Sequence, residues 1–325
     1  MFSTALNHFF QSINNEVFQT LNELMNILNE DLFFFIIFFA FTFGIDFKRG
    51  FLMVHAFFWT IIVNQLLKSW INLPRPIDID PNLQILGENI NQIKTSSTSS
   101  NTPVKLNAEN IQYARNHYLL SGGFPSAIMA KASIFWLSIW HFYKQNWLLL
   151  FAIIILALTA TSVLYFGENF GIDILAGVSL GILIYLFIFH FLFKSPRLSE
   201  FSNKPRHGFI HPWKAFGRII YFFVIPLLLL LIPEVGINLI AKLIGLNLAY
   251  YLIGIKRWPK NEGTTSQRIL RVFLALTIFF LINLITAQFT QVEYSLRYFL
   301  TNLFEMYFTI HLSVWLCRKL KLYHK

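Results

Sequence analysis

The chain has 325 residues, of which 55% are apolar and 18% aromatic, while only 13% are charged; soluble domains carry roughly a quarter charged residues. This balance excludes an ordinary soluble enzyme and describes a membrane protein, because apolar runs about 20 residues long recur along the whole chain. The formal net charge of +10 does not call for nucleic acid as a partner, since the basic residues collect in short segments between apolar runs, where they are topology signals.

The first residues lack a basic n-region, an apolar h-region and a small-residue cleavage site, so no removable signal peptide is expected. Cys317 is the single cysteine, which rules out an intrachain disulfide and leaves the compartment unread from cysteine usage.

In chain order, residues 1–30 read as an interfacial amphipathic helix. Leu6, Phe9, Phe10, Ile13, Val17, Leu21, Leu24 and Leu28 recur at helical spacing, with Asn, Gln and Glu on the other side. Nine apolar runs follow, at 32–47, 51–67, 125–143, 147–166, 171–193, 218–233, 235–255, 269–289 and 298–316, each expected to span the bilayer. A polar loop at 77–123 separates the second from the third. It holds the low-complexity run Lys94 to Pro103, which offers almost nothing to bury and is expected to be mobile. Loops of this length serve as lids or binding segments, or are plainly disordered, and both alternatives stay open here.

Threading nine spans alternately puts 18 of the 26 Lys and Arg residues on one face, at 48–49, 144, 194–218, 256–271 and 318–325. That face, with the C-terminus, is expected to be cytoplasmic. The opposite face then carries Lys68, Arg75, the 77–123 loop and the 167–171 turn together.

Three pieces on that face carry chemistry. Lys68 to Pro76 has the form K-x6-R-P; Phe124-Pro125-Ser126 opens a later span; and Ser162 precedes Tyr165-x-Gly167, with Asp173-x-x-Ala176-Gly177 beyond. Alone, the first is an ordinary charged turn at a membrane edge and the second an ordinary helix start. In this order and spacing the three resemble the type 2 phosphatidic acid phosphatase and vanadium haloperoxidase superfamily, whose motifs are K-x6-R-P, P-S-G-H and S-R-x5-H-x3-D. The resemblance covers residues 1 to about 195 and implies an all-α lipid-phosphatase-like membrane core at 31–195, leaving 207–325 as a C-terminal extension of four spans.

What the resemblance implies for the site follows residue by residue. Lys68, Arg75 and Ser126 fall on phosphate-binding positions, and Asp173 on the acid that orients the nucleophilic imidazole. Cations and donors around non-bridging oxygens, a nucleophile and a proton donor are the parts that phosphoryl hydrolysis needs. This chain departs at four positions: the general-acid histidine falls on Ile128, its preceding glycine on Ala127, the second arginine on Val163 and the nucleophilic histidine on Asn169. Asn169 lies one helical turn before Asp173, so its amide can still donate to that carboxylate, but it cannot attack phosphorus.

Substitutes are few. Glu168 adjoins Asn169, yet neighbours on a helix diverge by about 100°. His117 could approach only by closure of the loop. Lys131 could replace the missing arginine's charge by snorkelling, although five residues from Ser126 it sits off that residue's face. Lys242, Glu305 and His311 are costly inside a membrane unless paired or hydrated; a Lys242–Glu305 pair is conceivable, with nothing in the sequence to set its distance. His141, His190, His207 and His211 near span ends read as interfacial. No zinc, haem, nucleotide-loop or Ser-His-Asp pattern stands out, so no metal or cofactor is expected.

The expectation is a polytopic helical bundle in a bacterial inner membrane, with its pocket on the periplasmic face. It would be a catalytically disabled relative binding a phosphorylated lipid: phosphatidate, phosphatidylglycerophosphate or a polyprenyl phosphate. Two alternatives accompany it, a divergent lipid phosphatase using Glu168 or His117, and a structural or transport scaffold whose role resides in 207–325.

Overall fold

The computed structural model describes residues 2–13, 15–83, 103–109, 111–112, 122–192, 216–217, 219–256, 258–289 and 295–323. His117, His207, His211, most of the Ser/Thr-rich run and the basic residues of the 194–218 connector lie outside the described residues. Every regular element among the described residues is helical, and the one extended pairing among them is an isolated antiparallel bridge between Ser3 and Lys105. The helices are α1 (Ala5–Gln11), α2 (Glu16–Leu28), α3 (Asp31–Phe39, continuing as a π turn to Ile45), α4 (Phe47–Ile71), α5 (Pro76–Ile79), α6 (Ala127–Tyr143), α7 (Asn146–Tyr165) and α8 (Gly171–Tyr185, continuing as a π turn to Leu192). After them come α9 (Ile225–Leu228, flanked by π and 3-10 turns), α10 (Ile237–Lys256), α11 (Thr265–Ala287) and α12 (Leu296–Lys319).

Five segments are long and apolar enough to cross a membrane: Phe47–Ile79, Asn146–Tyr165, Gly171–His190, Ile237–Ile255 and Thr265–Ala287. The bent pair Glu16–Leu28 and Asp31–Ile45 makes a sixth if it counts as one span. The remaining predicted spans are helical too but fall short. Helix α6 has 17 residues, the apolar helix Ile220–Leu231 is short and broken, and α12 carries Arg297, Glu305, Arg318 and Lys319. Among the described residues, length and composition thus support five or six crossings where the sequence pattern predicts nine.

The chain forms two compact units, Met1–Phe34 with Trp59–Tyr185, and Phe35–Phe58 with Leu186–Lys325. In the first unit, α8 lies against α6 along Gly177 and Gly181. A Cβ on Gly177 would stand 2.5 Å from Ser126 O, and one on Gly181 would stand 2.6 Å from Ser133 Cβ. Two glycines one turn apart let the backbones approach in the small-residue manner of membrane helices, which brings the start of α8 beside the start of α6. Helix α2 is fixed to α7 where Ser162 Oγ donates to Asn22 O at 2.9 Å. Along α1 and α2 the polar Thr4, Asn7 and Asn22 are buried, while Leu6, Phe9, Val17, Leu24 and Ile27 are exposed. Several polar side chains of these helices are thus turned into the protein and several apolar ones outward.

In the second unit α10 and α12 pack closely, Gly245 lying against the Leu303 carbonyl. Lys242 Nζ meets Glu305 Oε1 at 2.9 Å, with side chains 27% and 7% exposed, so the pair that the sequence allowed does form. His311 stacks on Tyr307 with ring centroids 5.3 Å apart. Arg271 is fully buried and is held by backbone carbonyls, Asn261 O at 2.8 Å, Glu262 O at 3.2 Å and Leu322 O at 3.3 Å.

Two stability tests follow. Gly177→Leu should lower unfolding stability by about 2 kcal/mol or more through overpacking, read as a lower melting temperature in detergent; an unchanged melt would mean that α6 and α8 do not touch there. Glu305→Met strands the Lys242 ammonium and should melt lower than the joint Lys242→Met, Glu305→Met variant, because an unpaired buried charge costs more than a lost pair. A double variant less stable than the single would contradict the pairing.

Candidate functional site

Lys68 sits in the last turn of α4. The helix stops at Ile71 because Asn72 turns left-handed (φ 46°) and its N–H bonds to Lys68 O at 2.8 Å, a terminator that Asn tolerates better than most residues. Pro76 then opens α5, where its missing N–H costs nothing, and the Asp78 carboxylate accepts from Arg75 N at 2.9 Å. This turn is joined to the segment before α6: Gly123 N donates to Leu73 O at 2.7 Å, and the Lys68 ammonium donates to Gly122 O. A Cβ on Gly123 would stand 2.9 Å from Pro74 O, so the crossing requires glycine.

Ser126 is fully buried and caps α6, its Oγ accepting from Met129 N at 3.4 Å. That bond uses an acceptor lone pair and leaves the hydroxyl proton for an anion.

The third segment is the end of α7. Gly167 N bonds to Leu164 O at 3.1 Å and Glu168 N to Val163 O at 3.1 Å, with Gly167 at φ +70°. This is a Schellman turn, which explains the glycine at that position. Gly167 O in turn accepts from Ile77 N at 3.2 Å, tying the Arg75 turn to it. Helix α8 opens with Asp173 Oδ2 accepting from Phe170 N at 2.8 Å, the reciprocal part of a capping box. Its backbone carbonyl accepts from Ser126 N at 3.0 Å. Asn169 is buried, and its Nδ2 donates to Gly123 O at 2.6 Å and to Asp173 Oδ2 at 3.4 Å. The Asn169–Asp173 bond expected from sequence is therefore present but long, with the Gly123 carbonyl as the nearer acceptor. Asp173 Oδ1 is buried and has no hydrogen-bond partner among the described residues.

The charges converge on Glu168. Burial pushes its carboxyl above the usual carboxylate range, while the positive charges of Arg75, Lys68 and Lys131 work against that rise. Lys131, which its spacing placed off the Ser126 face, thus contributes to the same field; its Nζ is paired with Asp31 Oδ1 at 2.6 Å. Arg75 Nε is buried with no partner among the described residues.

The substituted positions tell the complementary story. Val163 is buried in an apolar cluster with Met129, Leu164 and Ile174, and Ile128 packs against the same cluster. Ile128 and Val163 thus belong to one apolar patch. His117 lies outside the described residues.

Sequence reasoning missed the amino-terminal polar residues. Asn7 Nδ2 donates to Leu164 O at 2.9 Å and to Asn169 O at 3.2 Å, and Gln11 Nε2 donates to Tyr165 O at 2.8 Å. These side chains add a second donor to Leu164 O, which Gly167 N also reaches, and supply donors to Tyr165 O and to Asn169 O beyond the helix. The available signal was the spacing of Thr4, Asn7, His8 and Gln11 on one helical face, which reads equally well as a solvated side.

Together the three segments place two cations, a buried hydroxyl and a carboxylate around one turn, with a third cation acting on it. That set can bind and orient an anion, and it offers no imidazole among the described residues for attack on phosphorus or protonation of a leaving oxygen. No curated protein and no solved structure matches the chain. Residues 49–197, which hold Lys68, Arg75, Ser126, Asn169 and Asp173, match the family model of the PAP2 superfamily.

Proposed function

We propose that the chain is a membrane-embedded relative of the lipid phosphatases that binds the phosphate of a phosphorylated lipid without hydrolysing it. The ligand class is phosphatidate, phosphatidylglycerophosphate or a polyprenyl phosphate, met from the non-cytoplasmic face of a bacterial inner membrane. The nine-span bundle, with 207–325 as its C-terminal extension, belongs to this reading. One observation carries it: Lys68, Arg75 and Ser126 surround the Gly167–Asp173 turn while the proton-donor and nucleophile positions hold Ile128 and Asn169. A nucleophile and a general acid each supply about 10²-fold or more, so their joint loss removes useful turnover. Binding survives because cations and donors suffice for it.

Lys131 completes the reading by supplying charge where Val163 cannot. Bound phosphate would exchange protein carboxylates for its own oxygens around Lys68, Arg75 and Lys131, and Glu168 is the carboxylate that competes with it. A second reading has some support in the same geometry: Glu168, lying in the field of three cations, would act as a carboxylate nucleophile in a divergent phosphatase.

Short-chain phosphatidate titrated into purified protein in detergent separates these. Lys68→Ala and Arg75→Ala should each weaken binding at least about tenfold, and Lys131→Ala should weaken it less. Glu168→Gln should tighten it by removing a competing anion. Unchanged affinity in Lys68→Ala and Arg75→Ala would overturn the binding reading; phosphate release that Glu168→Gln abolishes would establish the phosphatase instead.

A further inference from the structure

The first residues of the chain touch all of the site-forming segments. Thr4 Oγ1 donates to Asp80 Oδ2 at 2.6 Å, and His8 Nε2 meets the same oxygen at 2.8 Å. Asp80 is fully buried and follows directly on the Arg75–Ile79 turn. Thr4 also pairs with the 103–106 stretch, its N–H donating to Val104 O at 2.9 Å and its Oγ1 accepting from Val104 N at 2.8 Å. Leu106 N donates to Phe2 O at 2.9 Å. The Phe2 ring packs edge-on against Phe124 at 6.1 Å and Phe170 at 5.6 Å, the residues that lead into α6 and α8. Asn7 is fully buried and bonded to both Leu164 O and Asn169 O, with its Oδ1 lacking a partner among the described residues.

We propose that Thr4, Asn7 and His8 are positioning residues, and that the amino-terminal segment is a strap holding the Arg75–Asp80 turn and the Gly167–Phe170 turn at the separation the anion site needs.

The chemistry supports a brace. Burial alone would push the Asp80 carboxyl up, yet the hydrogen bonds from Thr4, His8 and the Asn82 N–H hold it below the usual carboxylate range. It is therefore ionised at neutral pH and its bonds are charge-assisted, roughly twice as strong as neutral ones. Asn7 matters in another way. Its amide satisfies the Asn169 carbonyl, which lies inside the turn that carries Glu168 and Asn169, so losing it frees that turn to move. Asp80 bonds to Thr4 and His8, and Asn7 to Leu164 O and Asn169 O, which makes their role one of geometry, and Lys68 and Arg75 need no change for the site to loosen. The positioning role rests on the anion-site reading above; the bracing does not.

The test uses the full chain in detergent micelles and two readouts, amide hydrogen exchange and affinity for inorganic phosphate. Thr4→Val and Asn7→Ala should each speed exchange about tenfold at residues 76–83 and 164–170, leave exchange in α10 and α12 unchanged, and weaken phosphate binding about tenfold. Thr4→Ser, which keeps the hydroxyl, should behave as wild type in both. Unchanged exchange at the two turns, or faster exchange spread through all helices, would overturn the strap. Faster local exchange with unchanged phosphate affinity would overturn the positioning role. A wild type that does not bind phosphate at all would overturn the anion-site reading, and exchange would still decide the brace.

Discussion

The hydrogen bond from Ser126 N to Asp173 O, 3.0 Å long, is the joint on which the candidate site depends. It exists only because Gly177 and Gly181 let α8 approach α6 with no side chain between them. Two helices therefore begin side by side, each with the partial positive charge of a helix start. Lys68 and Arg75 reach that region from a third direction, through a turn stitched to Gly122, Gly123 and Gly167. The ties to Gly123 and Gly167 are backbone hydrogen bonds, and the Lys68 ammonium itself makes the one to Gly122, so most of the gathering of charge is set by the backbone.

In the proposed reading, this arrangement would let anion binding persist without the chemistry. Ile128 and Val163 join one apolar cluster with Met129, Leu164 and Ile174, and a single reversion at either position would bury a polar or charged group without a partner. The two replacements support each other energetically, which makes the apolar arrangement self-consistent. Asn169 keeps the donor function of the position by bonding to Gly123 O and Asp173 Oδ2. Asn169 and Asp173 thus stay within a hydrogen-bonded turn, while Ile128 and Val163 belong to the apolar cluster beside it.

Much of this was legible in the chain itself. The helical class followed from long apolar runs, and the grouping of Lys68, Arg75, Ser126 and Asp173 followed from motif order. Gly167 and Gly177 had physical reasons, a left-handed helix end and a close helix contact, that only geometry could supply. Spans were harder to count: α6 is short and α12 holds Glu305 within its length, so length and composition alone support five or six crossings among the described residues. The amino-terminal segment, expected as one amphipathic helix, forms two, Ala5–Gln11 and Glu16–Leu28. What pattern could not reveal is that Asn7, Thr4 and Gln11 spend their polarity on carbonyls and a carboxylate of the protein, because a solvated face and a bonded face have the same spacing. Lys131 illustrates the same limit, since a residue off the expected helical face can still share an electrostatic field through a long side chain.

The central claim is that phosphate is held and not cleaved, and one spectrum addresses both halves. Phosphorus magnetic resonance of short-chain phosphatidate incubated with purified wild-type protein should show the monoester signal broadened and shifted, an effect lost in Arg75→Ala, with no inorganic phosphate appearing over hours. Growth of an inorganic phosphate signal that depends on Lys68, or a monoester signal that the protein leaves untouched, would contradict it.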